Sequence, residues 1–213
     1  MNDLLKATFE TLEMSLLALL FSYIIGLPFG ILTNETTKNG VFRNRIINFV
    51  CEIVIGAGRA IPFTILMILV LPLTRLLVGT GVGTTATIVP LTIAAIPFVA
   101  RTVAHSLGLV EKEIVEAAMI DGASKLRIAL KIKLASRGFD IISSMGLTSV
   151  AIVSYTAISG MLGGGGLGNY AVVNGYYRYD WLSVLWATLI IIGIVCLFQW
   201  VFTLLSKLVD WRK

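Results

Sequence analysis

Three glycines, Gly163, Gly165 and Gly168, satisfy the spacing G-x-G-x-x-G, which cradles a dinucleotide pyrophosphate when it follows a strand and opens a helix in a parallel sheet. Here the motif joins two long apolar runs and no G-K-[ST] ending follows it, so it reads as a turn that lets the backbone approach a neighbour closely. His105 is the only histidine, with no carboxylate or cysteine at ligand spacing, and reads as an interfacial residue rather than a general base. Ser154 and Tyr155 have no base at a recognisable spacing, which argues against a membrane-embedded hydrolase. Glu52 and Arg59 stand about two helical turns apart, on one face, too far for a direct ion pair along a straight helix. Two readings of this pair stand: intramembrane charge with a functional role, or a span that starts late, leaving Glu52 in water and Arg59 snorkelling to the interface. No residue is a candidate catalyst or metal ligand, and the chain is not expected to be an enzyme.

The elements that must hold these residues are apolar. The 213 residues are 57% hydrophobic and 14% charged, with a mean hydropathy of +0.91, more apolar side chain than a soluble domain could bury. Runs of about twenty apolar residues predict five membrane-spanning helices, at about 12–32, 46–71, 84–104, 139–162 and 181–208. The alternating pattern of a β-barrel is absent. The expected fold is therefore an all-α integral membrane protein, one domain over residues 1–213. The N-terminal run is too long for a signal-peptide core and lacks a small-residue cleavage site, so it is read as a retained first span.

Gly26, Pro28 and Gly30 are expected to loosen or kink the first span near its far end. Gly56, Gly58 and Pro62 bend the second or place its start outside the hydrocarbon. Pro90 and Pro97 require the third to face protein, where neighbours satisfy the freed carbonyls. The fourth is rich in Ser, Thr, Gly and Ala, which allow close packing and offer hydroxyls to a polar path. The fifth, large aliphatic and aromatic with Trp181 and Trp211 at its ends, is expected to face lipid. Cys51 and Cys196 lie in apolar runs and read as buried free thiols. The glycine clusters 79–83 and 163–168 read as two separate loops.

The one long polar interruption, about residues 105–138, exceeds what a simple connection needs and reads as a docking surface. Its first part carries Glu111, Glu113, Glu116 and Asp121 around Ile114, Val115, Ala118 and Met119. Gly122 offers a hinge, and a basic second helix carries Leu126, Leu130 and Leu134 as an apolar stripe. Small residues at the corner, Ala117, Ala118, Gly122 and Ala123, would let another protein approach the backbone. A helix lying on anionic lipid would fit the basic half but not the acidic one.

Basic residues gather in the first loop (Lys38, Arg43, Arg45), the connector and the C-terminus (Lys207, Arg212, Lys213). With five spans, the positive-inside rule puts the N-terminus outside and the connector and C-terminus in the cytoplasm. The net charge of +5 is thus topology, and no nucleic-acid partner is expected.

The run Glu116-Ala117-Ala118, then Gly122, then Ile132 and Leu134 resembles the EAA motif of bacterial ABC importer permease subunits. The family pattern usually continues with proline, where this chain has Ala135. Residues 58–83, 86–101 and 163–180 further resemble the methionine importer permeases, a five-span branch, so the resemblance covers nearly the whole chain. It implies a type I importer fold whose cytoplasmic helix-turn-helix loop couples to an ATPase through Glu116, Ala117, Ala118, Asp121, Gly122 and Ala123. It implies a homodimer in the bacterial cytoplasmic membrane, two copies of a cytosolic ATP-binding subunit, and an extracytoplasmic methionine-binding lipoprotein. No cofactor is expected in this chain, since ATP and Mg would be held by the partner. The implied activity is import of methionine, D and/or L, or a close analogue, by alternating access. Ser154, Ile158, Met161 and Leu162 are candidates for the path or gate. Import of another small solute, secondary transport and a membrane scaffold are the competing readings; the mid-span regions lack the carboxylate expected of a secondary transporter.

Overall fold

Thirty-four consecutive residues, Asn2–Glu35, form the first helix, α1. At about 1.5 Å per residue it is about 50 Å long, well beyond a hydrocarbon core of about 30 Å. It begins ten residues before the expected span and runs unbroken through Pro28. The computed structural model describes residues 2–209; Trp211, Arg212 and Lys213 lie outside the described residues.

Gly26 and Gly30 do not end α1; they seat it against α5 (Thr84–Gly108). An added Cβ on Gly26 would lie 2.8 Å from Val99, and one on Gly30 would lie 2.7 Å from Val103 and the Ala100 carbonyl. Small residues thus bring two backbones together where lipid offers no hydrophobic drive for helix association. Met14, Ala18 and Tyr23 of α1 and Leu91, Val99 and Val103 of α5 form the main core. Pro90 and Pro97 are buried in α5, the most enclosed of the long apolar helices, as the sequence requires.

The second expected span is broken. Helix α2 (Arg45–Ala60) stops at Ile61, which is extended ahead of Pro62, and α3 (Phe63–Leu69) leaves at 106°. Proline lacks the N–H that would continue the helix and disfavours helical geometry at the residue before it. A short α4 (Leu71–Val78) follows and is closed by Gly79.

After the connector, α9 (Gly138–Met161) returns through the bundle. Helix α10 (Gly166–Tyr170), widened over Ala171–Tyr177, forms the far-end turn, and α11 (Trp181–Val209) completes the fold. Helix α11 is the least enclosed long helix, as its composition predicts. Cys51 is buried, but Cys196 lies on the outward face of α11 rather than inside; both are free thiols. By length and composition four continuous helices can cross a membrane, and the count reaches five where the bent α2–α3 pair is taken as one span.

Candidate functional site

The connector folds as two helical arms around a small core of its own. Helix α6 (Lys112–Ile120) ends on a tight turn in which Gly122 has φ +77° and the Ala123 N–H donates to the Ala118 carbonyl at 2.9 Å. Only glycine takes this left-handed geometry without a Cβ penalty. Gly122→Val should cost about 1–2 kcal/mol locally and speed hydrogen exchange at the Ala123 amide; unchanged protection would show that the turn carries no such strain.

Ser124 then caps the second arm by accepting from the Arg127 N–H. This arm runs from α7 (Lys125–Arg127) through a widened turn, Ile128–Ile132, into α8 (Lys133–Ser136). Ala135 sits inside α8, and the chain turns only at Arg137, which bonds the Leu109 carbonyl and Asp140. The expected stripe of Leu126, Leu130 and Leu134 is not the face that packs in the connector's core, and Leu134 is half-buried against the main core instead. Leu126 and Leu130 are exposed, and the face turned inward is Ile128, Ala129, Ile132 and Lys133. Ile128 and Ile132, and Ala129 and Lys133, are each spaced i, i+4, so the buried face keeps a helical repeat but lies on a different side from Leu126 and Leu130.

Ile128 and Ala129 pack on Ala118 and on Val41 from the first loop. Among the candidate coupling residues, Ala118 therefore points inward and Ala123 is half-buried, while Glu116, Ala117, Asp121 and Gly122 are exposed. Beside them project two apolar side chains, Met119 and Ile120, the latter 85% exposed. Ile120 was not singled out in the sequence, although an isoleucine in a polar loop with no place in the inward face is a legible signal.

Beneath the arms lies a buried ion pair absent from the sequence reading. Lys133 Nζ donates to both oxygens of Glu35, at 2.8 and 3.1 Å. The carboxylate also accepts from Asn34 Nδ2 at 2.8 Å and from the Val41 N–H at 3.1 Å. Both residues are almost wholly enclosed. The end of α1 is thus tied directly to the second arm.

Glu52 and Arg59 do not pair. Arg101 Nη1 donates to both Glu52 oxygens, at 2.7 and 2.9 Å, bridging α2 to α5. Arg59 lies at the end of α2, exposed, lining a cavity with Phe63, Phe98 and Tyr155. Ser154, Ile158, Met161 and Leu162 share one exposed face at the far half of α9. Most other hydroxyls of α9 are buried and bond carbonyls of their own helix; Ser144 and Thr148 also meet Tyr23 Oη at 3.0 and 3.3 Å.

At the end of the bundle opposite the connector, the two glycine clusters are joined rather than separate. The Gly83 N–H donates to the Gly163 carbonyl at 2.9 Å, and Thr87 Oγ1 to that of Gly164 at 3.3 Å. Glu10 and Thr11 of α1 accept from the Gly166 and Leu167 N–H groups, each at 2.8 Å. Asp180 caps α11, and the Ser183 hydroxyl donated to it at 2.7 Å holds its carboxyl below the usual range.

The family model described as "Binding-protein-dependent transport system inner membrane component" matches residues 26–212. The chain belongs to this family. As a binding-protein-dependent inner membrane component it is a multi-pass membrane protein of the permease class. It is 41% identical to the probable D-methionine transport system permease protein MetI of Vibrio cholerae, over 98% of this chain and 93% of that one. It is 45% identical to the corresponding Pasteurella multocida protein, over 91% and 89%. It is 38% identical to the methionine import system permease protein MetP of Bacillus subtilis, over 100% and 96%. A solved structure of the MetNI methionine ABC transporter in an inward-facing conformation superposes with a TM-score of 0.96 at 31% identity, covering 99% of this chain and 97% of that one. The all-α permease fold expected from the spans and the EAA-like loop is therefore the fold of this inner membrane component.

Proposed function

We propose that this chain is the membrane-spanning subunit of an ATP-driven importer of methionine, D and/or L, in the bacterial cytoplasmic membrane. One observation carries the substrate assignment: similarity along nearly the full chain to permeases named for methionine. The chain acts as a homodimer, its N-terminus outside and its C-terminus in the cytoplasm, with two copies of a cytosolic subunit that binds ATP and Mg. An extracytoplasmic methionine-binding lipoprotein delivers the substrate.

The connector is the coupling element in this reading. Glu116, Ala117, Asp121 and Gly122, with Met119 and Ile120 beside them, offer a polar rim around exposed apolar side chains. Ala118 and Ala123 set the corner from inside. Closure of the ATPases on ATP moves this rigid corner, and the movement reaches the bundle through the enclosed ion pair to α1. The exposed face bearing Ser154, Ile158, Met161 and Leu162 lines the path or its outer gate.

The test is uptake of labelled methionine by a strain lacking this chain and by the same strain carrying Glu116→Lys or Gly122→Asp. High-affinity uptake is expected to vanish in the deletion and to fall sharply in both variants, with less ATPase copurifying with each. Normal high-affinity uptake without the chain would overturn the substrate, and uptake of another small solute lost in its place would redirect it.

A further inference from the structure

Arg59 occupies an unusual place for a charge. Helix α2 ends one residue later, the chain is extended at Ile61, and Pro62 opens α3 at 106° to it. Among the described residues no hydrogen-bond or ion-pair partner meets the Arg59 guanidinium. The nearest acidic candidate in sequence, Glu52, is engaged by Arg101 at 2.7 Å. The other inward carboxylates are also committed, Glu35 to Lys133 and Glu10 to the Gly166 N–H. Arg59 is exposed on the single chain at the edge of a cavity, and an unpaired guanidinium at the break of an apolar span is a place where an anion can be held.

The cavity is present. It holds about 200 Å³ and is walled by Ile61, Phe63, Ala94, Phe98 and Tyr155, with Arg59 as its cation. That is below the range of about 300–1,000 Å³ typical of drug-sized ligands, and suits a single small molecule. Phe63 and Tyr155 stack at 4.7 Å with planes 7° apart, so one wall is a fixed aromatic surface joining α3 to α9. Ala94 and Phe98 lie midway along α5.

Three chemistries therefore meet at the break in the second span. The guanidinium fork matches a carboxylate with two parallel hydrogen bonds. The last turn of α2 leaves carbonyls unpaired by any cap among the described residues, and a helix C-terminus carries partial negative charge that attracts an ammonium. The aromatic walls suit an unbranched apolar chain, and a thioether in particular makes favourable contacts with ring edges.

We propose that this cavity is a substrate station within the permease itself, in which Arg59 anchors the α-carboxylate of a free amino acid and Phe63, Phe98 and Tyr155 receive its side chain. The proposal deepens the methionine-import reading and rests on it. The station is weak by design of its surroundings, since a molecule in transit must leave as readily as it enters. Its specificity is for a zwitterion with a free carboxylate and a slender apolar side chain.

The test is equilibrium binding of labelled L-methionine to the whole permease–ATPase complex, purified without the binding protein, for the natural chain, Arg59→Gln and Arg59→Lys. Methioninamide, which lacks the carboxylate, is the competing probe. Arg59→Gln should weaken methionine binding about 10- to 100-fold, as expected for loss of hydrogen bonds to a charged partner. Methioninamide should bind the natural complex about as weakly as methionine binds the Gln variant, and the Gln variant should no longer distinguish the two. Arg59→Lys should retain part of the affinity. Phe98→Trp, which fills the cavity and leaves Arg59 in place, should abolish binding in a complex that still assembles.

Wild-type affinity in Arg59→Gln, or discrimination against methioninamide surviving in it, would overturn the station. So would an unliganded natural complex that nonetheless transports methionine when the binding protein is restored. If the natural complex neither binds nor transports methionine, the import reading itself falls and takes the station with it.

Discussion

Lys133→Met, with Glu35 left in place, should lower stability by about 3–5 kcal/mol, because it strands an enclosed carboxylate without its cation. Glu35 is 2% exposed and Lys133 4%, so water cannot take over the lost contact. The Asn34 amide and the Val41 N–H remain as donors, but neither is charged. Glu35→Gln should cost less, since the amide keeps an acceptor for Val41 while Lys133 loses its counter-charge. The double variant, Glu35→Gln with Lys133→Met, should recover much of the loss, because a buried pair replaced as a whole leaves no orphan charge. Thermal unfolding of the purified protein in detergent distinguishes these cases. If the single Lys133→Met variant unfolds within a degree or two of the natural protein, the pair does not hold the connector to α1.

The same double variant carries a functional expectation. If α1 follows the coupling arms through this pair, a stable but neutral pair should assemble with its ATPase yet spend more ATP per methionine imported. Measuring both rates in one vesicle preparation separates loose coupling from poor folding.

The second large effect lies at the opposite end. A Cβ on Gly160 would sit 2.2 Å from the Asn169 nitrogen, and one on Gly168 would sit 2.3 Å from the Ala157 carbonyl oxygen. Both obstacles are backbone, so no side-chain rotation relieves them. Gly160→Val should cost about 3 kcal/mol or more, at the upper end for overpacking. It should also pry the glycine turn from α9, breaking the shared registration with Gly83 and exposing 163–168 to protease. A variant that resists cleavage like the natural protein would show that the turn can be accommodated elsewhere.

The membrane helices were legible because a run of apolar residues long enough to cross lipid needs no further information to be recognised. Pro62 announced a break in the second span, but not that the chain would leave it at 106°, since that angle depends on what α3 packs against. The turn after α6 was legible for a local reason, the glycine at its corner. The face of the second arm was not, because the side that turns inward is set by Val41, which lies in another loop and is distant in sequence. Lys133 stands among many basic residues of the connector, where its own neighbourhood marks only topology. Its partner is 98 residues away, and nothing in either neighbourhood hints at the pairing. The joining of Gly83 to Gly163 escaped for the same reason. The outward position of Cys196 is not legible, because an exposed and a buried thiol of a membrane helix sit in equally apolar sequence.

The small core formed by Val41, Ala118, Ile128 and Ala129 is separate from the core that holds α1 to α5. Met119 and Ile120 are exposed and belong to neither core, so in the proposed reading changes there would alter the face offered to a partner without disturbing the packing of the bundle. On that reading the partner-facing side chains can therefore drift without cost to the bundle, whereas a loop exchanged as a cassette between related permeases leaves the host bundle intact only if it brings a lysine to meet Glu35.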